Sequence, residues 1–524
     1  MTQHQAVSPK VILTVVAFGV FVAADDLTVV STMLRQIIFD LQIPLPDGLD
    51  RAAWIVNAYL IGYVVVMPFT GRLSDIVGRR AVYVGALGLF LVGSIWVPLA
   101  DNLGSFIVGR VLTAVGGGAM VPVAMAVIGD VYPAEKRATA LGTLGAIDTA
   151  GWVWGPLYGA LLIRFLSWRW QFYLNIPLSL LGMAAAWWAL GGLPRPEKRE
   201  RIDWVGTAVL TLFLLTLNLA LLNSGDVQST GGFASLTNPS PLHQYTPHLY
   251  LAATLTLAVF IFWQHRLSVG HREWGVGSAT PHTTPHAPQS PAPLLSPTLF
   301  RRPNFTPAVL INFLVGSVLI IAMVNVPLLV NVLELDVEQA ALISGTLLAG
   351  MTLAMAFTAY LGGRLTERYG YRPITVAGLV LASVGFGFMG WTWAVGTPFG
   401  QMGWQLVILG LGFGLVTAPV GTAVINTAPP DQRGIAASLV IVLRLIGMSV
   451  GLSALTAWGL RRFATLRTTI TLPDLPLTDP AYQRAVVEGL TAVTTRVLAE
   501  TFLWSAGVLI LAMLAAFWLH KESR

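Results

Sequence analysis

Apolar residues run in stretches of about 17 or more along the entire chain, separated by short polar segments. About 20 such residues cross a hydrocarbon core as a helix, so the pattern predicts about fourteen spans. They lie at roughly 11–33, 54–70, 81–100, 105–130, 138–163, 171–192, 204–222, 249–265, 305–330, 340–362, 373–394, 401–427, 434–458 and 499–519. An even count puts both termini on one side of the membrane. Asp25 and Asp26 interrupt the first run, Val11 to Val30. An ionised group in hydrocarbon costs at least about 2.5–3.5 kcal/mol, so it needs a partner, a water-filled cavity or a task. The pair either ends a short first helix or forms a proton or cation site. Apolar residues resume at Leu27–Val30, which favours the site.

Hydrophobic residues make up 55% of the 524, and charged residues 11%, against about 25% in soluble domains, so the chain is built for lipid. The formal charge of +6 then bears on topology, not on nucleic acid. One set of loops holds Arg72, Arg79 and Arg80; Lys136 and Arg137; Arg195, Lys198, Arg199 and Arg201; Arg364, Arg368 and Arg372; and Arg433. The segments 223–248, 331–339 and 395–400 contain no Lys or Arg. The positive-inside rule places the rich loops and both termini in the cytoplasm. The membrane expected is the plasma membrane, or the inner membrane of a Gram-negative cell. The segment 459–498, with Arg461, Arg462, Arg467, Arg484 and Arg496, is predicted outside, with a short amphipathic helix around Ala481 to Leu498. The absence of cysteine excludes disulfides and thiolate metal sites. Met1 to Lys10 lacks the arrangement of a cleavable signal peptide, so the first helix is expected to stay.

An internal repeat organises the spans. Gly71-Arg-Leu-Ser-Asp75-Ile-Val-Gly78-Arg79-Arg80 recurs, offset by 292, as Gly363-Arg-Leu-Thr-Glu367-Arg-Tyr-Gly370-Tyr-Arg372. Gly116, Gly118, Pro133 and Arg137 recur, offset by 296, as Gly412, Gly414, Pro429 and Arg433. The chain therefore reads as an all-α polytopic membrane protein: a six-helix half over 1–192, an inserted helix pair over 193–265, a cytoplasmic Pro/Ser/His-rich linker over 266–304, and a second six-helix half over 305–524. Parallel halves place a substrate site near the bilayer midplane. The linker histidines His271, His282 and His286 have no fixed scaffold, so no metal is expected.

Several residues carry candidate chemistry. Glycines at both ends of Gly71–Arg80 permit a tight turn, and Asp75 with the arginines can form charge-assisted bonds. Arg110 lies some 8 Å below the outer end of span four, and Asp26 roughly 22 Å from the inner end of span one. In a core about 30 Å thick these depths coincide, so an Arg110–Asp26 pair is possible; the alternative is that Arg110 snorkels outward. Adjacent helical residues point about 100° apart, so one acid of the pair faces the cavity and Asp25 is expected to matter less. Gly151, Gly155 and Gly159 make a smooth face on span five, and Pro156 removes a backbone bond there. Asp148 is a second mid-membrane acid, either a proton or cation site or a structural pair. Arg444, ten residues into span thirteen, either pairs with a buried acid or binds an anionic group. Trp152 and Trp154 either pack or stack on a substrate.

These elements resemble the major facilitator superfamily. Gly71–Arg80 is similar to its loop signature G-x-x-x-D-[RK]-x-G-R-[RK], with Ile76 at a usually basic place; the resemblance implies a cytoplasmic latch. Arg110 matches the arginine of a span-four motif implicated in proton coupling, although Thr113 and Ala114 stand where Gln-Gly is usual. Gly151 to Ala160 resembles the antiporter motif G-x-x-x-G-P-x-x-G-G. Asp26-Leu-Thr28-Val-Val30, Trp168-Arg-Trp170-Gln-Phe-Tyr-Leu-Asn175-Ile-Pro177 and the span-thirteen pattern around Arg444 resemble the fourteen-helix drug/proton antiporters.

The resemblance implies a proton-coupled multidrug exporter that works by alternating access, not an enzyme. Its partners are protons, lipid and a lipophilic or cationic small molecule, with no nucleic acid and no cofactor, and the expected state is a monomer. A metabolite or lipid exporter on the same scaffold is the alternative, and a non-transporting scaffold or sensor the remaining one. No G-x-x-x-x-G-K-[ST] loop is present, which excludes that route to ATP.

Overall fold

The computed structural model describes residues 7–43, 49–194, 202–224, 243–275, 293–334, 336–471, 476 and 479–520. The basic stretch 195–201, most of the 223–248 segment and residues 276–292 of the linker, with His282 and His286, lie outside them. Among the described residues the chain forms fourteen long α-helices: α1 (Pro9–Asp40), α2 (Leu49–Val77), α3 (Arg79–Trp96), α4 (Leu103–Val131), α5 (Arg137–Phe165), α6 (Arg169–Ala189), α7 (Trp204–Ser224), α8 (Thr246–Gly275), α9 (Phe305–Leu333), α10 (Val337–Tyr369), α11 (Tyr371–Thr392), α12 (Phe399–Thr427), α13 (Arg433–Arg467) and α14 (Pro480–Ala516). Thirteen are long and apolar enough to cross a membrane. The exception, α5, has the length but spends it on glycine, threonine and Asp148.

Local chemistry sets many helix ends. Asn102 caps α4 by accepting from the Ser105 amide at 2.9 Å, and Asp479 caps α14 by accepting from the Ala481 amide at 2.7 Å. Gly78 and Gly370, related by the repeat, end α2 and α10 with φ of 108° and 88°. That backbone is almost closed to residues with a Cβ, so both sharp turns depend on glycine. After Pro133 and Pro429 the chain makes matching 3-10 turns, Ala134–Lys136 and Pro430–Gln432. The repeat thus extends from sequence to backbone geometry.

The chain divides into two compact units. The first holds Met1–Asn223, Ser240–Thr306 and Gly421–Val442; the second holds Ser224–Pro239, Pro307–Val420 and Leu443–Arg524. In the first, α4 is buried against α2 and α3, where a Cβ at Gly116 would strike the Ala86 carbonyl and one at Gly118 the Tyr63 carbonyl, both within 2.6 Å. The inserted pair α7–α8 is joined by buried Asp203, which accepts from Trp263 Nε1 at 3.0 Å and Gln264 Nε2 at 2.7 Å. The linker expected over 266–304 is shorter, because α8 continues to Gly275 and Leu294 and Leu299 are buried.

In the second unit, glycines of α13 approach the α9 backbone, and Phe386, Trp393 and Phe502 join α11 to α14 with ring centroids 5.1–5.9 Å apart. The expected long loop 459–498 is corrected here. α13 runs on to Arg467 and α14 starts at Pro480, so residues 481–498 belong to one continuous 37-residue helix and not to a separate amphipathic one. At 1.5 Å per residue, α14 is about 55 Å long, far beyond a core of about 30 Å. Charge and apolar contact hold the extended ends together. Arg462 forks onto Glu500 at 2.7 and 3.0 Å, Arg496 reaches Glu500 at 3.3 Å, and Leu466, Val493 and Val497 cluster beside them.

Candidate functional site

α1 carries its acids into the middle of the first unit because α5 lets it lie close. A Cβ at Gly151 would come within 2.7 Å of Ala24 Cβ, and one at Gly155 would meet Thr28 Oγ1 and stand 3.0 Å from the Asp25 carbonyl. Gly159 continues this face toward Thr32. The glycine stripe therefore seats α1 against α5, and Pro156 lies within the unbroken helix.

Asp26 and Arg110 meet. Arg110 Nη1 stands 2.7 Å from Asp26 Oδ2, with 0% of Asp26 and 1% of Arg110 exposed, so the arginine does not snorkel. Arg110 Nη2 also donates to the Asp26 carbonyl at 3.3 Å, and Asn175 Nδ2 donates to Asp26 Oδ1 at 3.3 Å. The guanidinium lies over the Tyr59 ring, 4.1 Å from its centroid. A buried pair of this kind is costly to break from one side, about 3–5 kcal/mol, because the survivor keeps its charge without compensation.

Asp25 does not point away into lipid. It is 6% exposed and accepts from Gln171 Nε2 of α6 at 2.9 Å. The expectation that one acid of the two matters less assumed one inward face. The structure surrounds both, with α4 supplying the partner of Asp26 and α6 that of Asp25. Gln171 and Tyr59 were missed in the sequence. Gln171 and Asn175, four apart on α6, form one polar stripe on the buried face of an otherwise apolar helix, a signal that could have found them.

Asp148 on α5 is partly buried in the first unit, and Arg444 on α13 is partly buried in the second. Trp154 is half exposed and stacks on Tyr158, 5.9 Å between centroids. In the Trp168–Pro177 motif, Trp168 Nε1 and Arg169 Nη1 both donate to Asp40 at the end of α1, at 2.9 and 2.7 Å, so its first residues tie down the helix that carries the acids.

A second constellation gathers at the α2–α3 turn, on buried Asp75. Its Oδ1 accepts from the Gly434 amide at 2.9 Å and its Oδ2 from the Ile435 amide at 3.1 Å. These belong to the first turn of α13, where amides have no partner within the helix and the helix dipole favours negative charge. Arg79 is held between Asp75 and Asp130, 3.0 Å from the latter, and Arg433 pairs with Asp130 at 2.9 Å. Arg72 donates to the Asp431 carbonyl at 2.9 Å. Arg80 stands apart, its guanidinium 3.8 Å over the Trp187 ring. Asp130 was not anticipated, although an acid at the end of the most buried span is itself a signal.

Comparison with known proteins agrees with this architecture. The family model described as Major Facilitator Superfamily matches residues 16–452. The chain is 32% identical over 480 residues to a triacylglyceride transporter of Mycolicibacterium hassiacum, covering 89% of this chain and 83% of that one. It is also 32% identical over 475 residues to the triacylglyceride transporter of Mycobacterium tuberculosis H37Rv, covering 87% and 83%. Among solved structures, the human organic anion transporter MFSD10 superposes with a TM-score of 0.59 at 14% identity, covering 97% of this chain and 99% of that one. The proton:xylose symporter XylE superposes with a TM-score of 0.60 at 13% identity, covering 97% and 94%. A match over most of the chain, relatives above 30% identity and an all-helical fold with thirteen apolar spans converge: this multi-pass membrane transporter belongs to the major facilitator superfamily.

Proposed function

We propose that this chain is a proton-coupled exporter of a strongly lipophilic substrate, a neutral lipid of the triacylglyceride class, working by alternating access. The observation that carries the substrate is the 32% identity to triacylglyceride transporters across 89% of the chain. It favours the lipid exporter over the multidrug exporter, for which the Trp168–Pro177 and Gly151–Ala160 motifs speak. Substrate leaves the inner leaflet when the transporter faces inward, and a proton taken up outside resets it.

Each constellation has a role in that cycle. The acids of α1 are the locus of proton coupling, buried beside a glycine face on which α1 and α5 can shift. Asp75 and Arg79, engaged with the start of α13, stabilise one state of the Gly71–Arg80 end, which the basic loops assign to the cytoplasm together with both termini. Binding of proton and lipid to opposite states supplies the coupling between them. The protein acts as a monomer in the plasma membrane, without nucleic acid or cofactor.

The test is transport by the purified full chain in proteoliposomes under an imposed pH gradient, with a fluorescent triacylglyceride and a panel of cationic, zwitterionic and neutral drugs. Lipid movement that follows the proton gradient is expected. Gradient-driven movement of drugs with none of lipid would restore the multidrug reading, and movement of neither would favour a non-transporting role.

A further inference from the structure

The two neighbouring carboxylates of α1 have unlike surroundings. Asp26 faces Arg110 at 2.7 Å. Asp25 is bonded by no cation: its Oδ2 accepts from Gln171 Nε2 at 2.9 Å, and its Oδ1 is buried without a hydrogen-bond partner among the described residues. The other side of the same contact has a matching deficiency, since Gln171 Oε1 is also buried and also unpartnered. One carboxyl–carboxamide contact thus holds two unsatisfied acceptor oxygens. Most buried polar groups in native structures are paired, so two unpaired oxygens on one contact call for an explanation.

A single proton removes both deficiencies. On Asp25 it turns an acceptor oxygen into an O–H donor, and Gln171 Oε1 is an acceptor lacking such a donor. Neutral acid and amide then complement each other through O–H···O and N–H···O bonds. Ionised Asp25 has only the amide donor, and a negative charge beside the negative charge of Asp26. The remaining ionisable groups around it do not compensate. Tyr59 of α2 and Tyr158 of α5 are within its electrostatic reach, Asp148 lies seven residues before Gly155 on α5, and Arg110 of α4 is engaged by Asp26.

We propose that Asp25, positioned by Gln171, is the residue that binds and releases the transported proton, while Asp26 stays ionised as the fixed counter-ion of Arg110. This rests on the proton-coupled reading above and names its carrier. Loading joins one proton from the outer solution to the Asp25 carboxylate; release returns it on the inner side, with no other bond made or broken. The charge change reaches the helix contact directly. A Cβ at Gly151 would stand 3.3 Å from the Asp25 amide and one at Gly155 3.0 Å from its carbonyl, so α5 lies against the backbone of the proton carrier.

The experiment is infrared difference spectroscopy of the purified full chain in lipid nanodiscs between acid and alkaline pH. The wild type is expected to show a protonated-carboxyl C=O band that titrates. The band should be lost in Asp25→Asn, persist in Asp148→Asn, and move to higher frequency in Gln171→Leu, where the carboxyl loses its amide partner. Gln171→Leu keeps the carboxyl and decides independently if Asp25→Asn does not fold: an unshifted band overturns the pairing. A band that survives Asp25→Asn and vanishes in Asp26→Asn overturns the choice of carrier while proton coupling stands. If triacylglyceride moves with undiminished pH dependence in all the single acid variants, proton coupling through these acids itself fails.

Discussion

The turn between α2 and α3 and the turn between α10 and α11 share a sequence pattern, a glycine at positive φ and a helix on either side, yet their charges have different fates. At the first, Asp75 and Arg79 are buried, and Asp75 satisfies two amides of α13. At the second, Glu367, Arg364, Arg368 and Arg372 are exposed, and the arginines lie over the aromatic rings of Tyr360, Tyr369 and Phe517 at 4.9–5.4 Å. The repeat specifies the turn. Whether the turn becomes a buried charge network depends on what stands opposite it.

The comparison can be broken most severely at Gly71. A Cβ there would strike Ser438 Oγ and the Gly434 carbonyl, and backbone cannot yield as a side chain can. Gly71→Ala is expected to cost the contact with α13 about 3 kcal/mol or more and to abolish transport, read as lipid movement in proteoliposomes. Transport at the wild-type rate would mean that this contact does not belong to the working cycle.

Asp75→Asn comes next. It keeps the shape and removes the charge from two amide bonds and from Arg79, so the engaged state should lose about 1.5–3 kcal/mol, on the order of 10–100-fold in population. Hydrogen exchange at the Gly434 and Ile435 amides reads that loss directly and should accelerate by this factor. Glu367→Gln should leave exchange and transport within experimental scatter. Equal effects at both acids would erase the asymmetry.

Gly78→Ala and Gly370→Ala test what the two turns share. Each puts a Cβ on backbone that only glycine adopts with ease, at about 1–3 kcal/mol, so both should lower thermal stability by similar amounts. A large difference would mean that one turn relaxes. The smallest effect is expected at Arg372, whose exposed contact with Phe517 is worth about 0.5–1 kcal/mol; Arg372→Ala should shift the melting temperature slightly and leave transport intact.

The Asp25–Asp26 pair shows how far local reasoning reaches. Depth along two helices was enough to bring Arg110 to Asp26, because rise per residue and core thickness are fixed quantities. The same reasoning did not reach the surroundings of Asp25. It counted inward faces on one helix and had no means of seeing that α6 would bring Gln171 to the other side. Likewise, the charges of 459–498 looked like loop residues, because Arg462 finds Glu500 only once α13 and α14 lie side by side.

The sequence by itself determined the number of helices, the repeat, the two glycine turns and the burial of an acid on α1. The repeat is read directly from the residues; the helices, the turns and the buried acid follow from transfer free energy, helical rise and backbone sterics, which act locally along the chain. Tertiary structure alone decided that Asp75 caps a helix 359 positions away, that Asp130 joins Arg79 to Arg433, and that Asp25 faces an amide while Asp26 faces a cation. A buried polar group must be satisfied, but any donor of suitable reach will serve, so its partner is chosen by how the helices pack and not by the residues beside it.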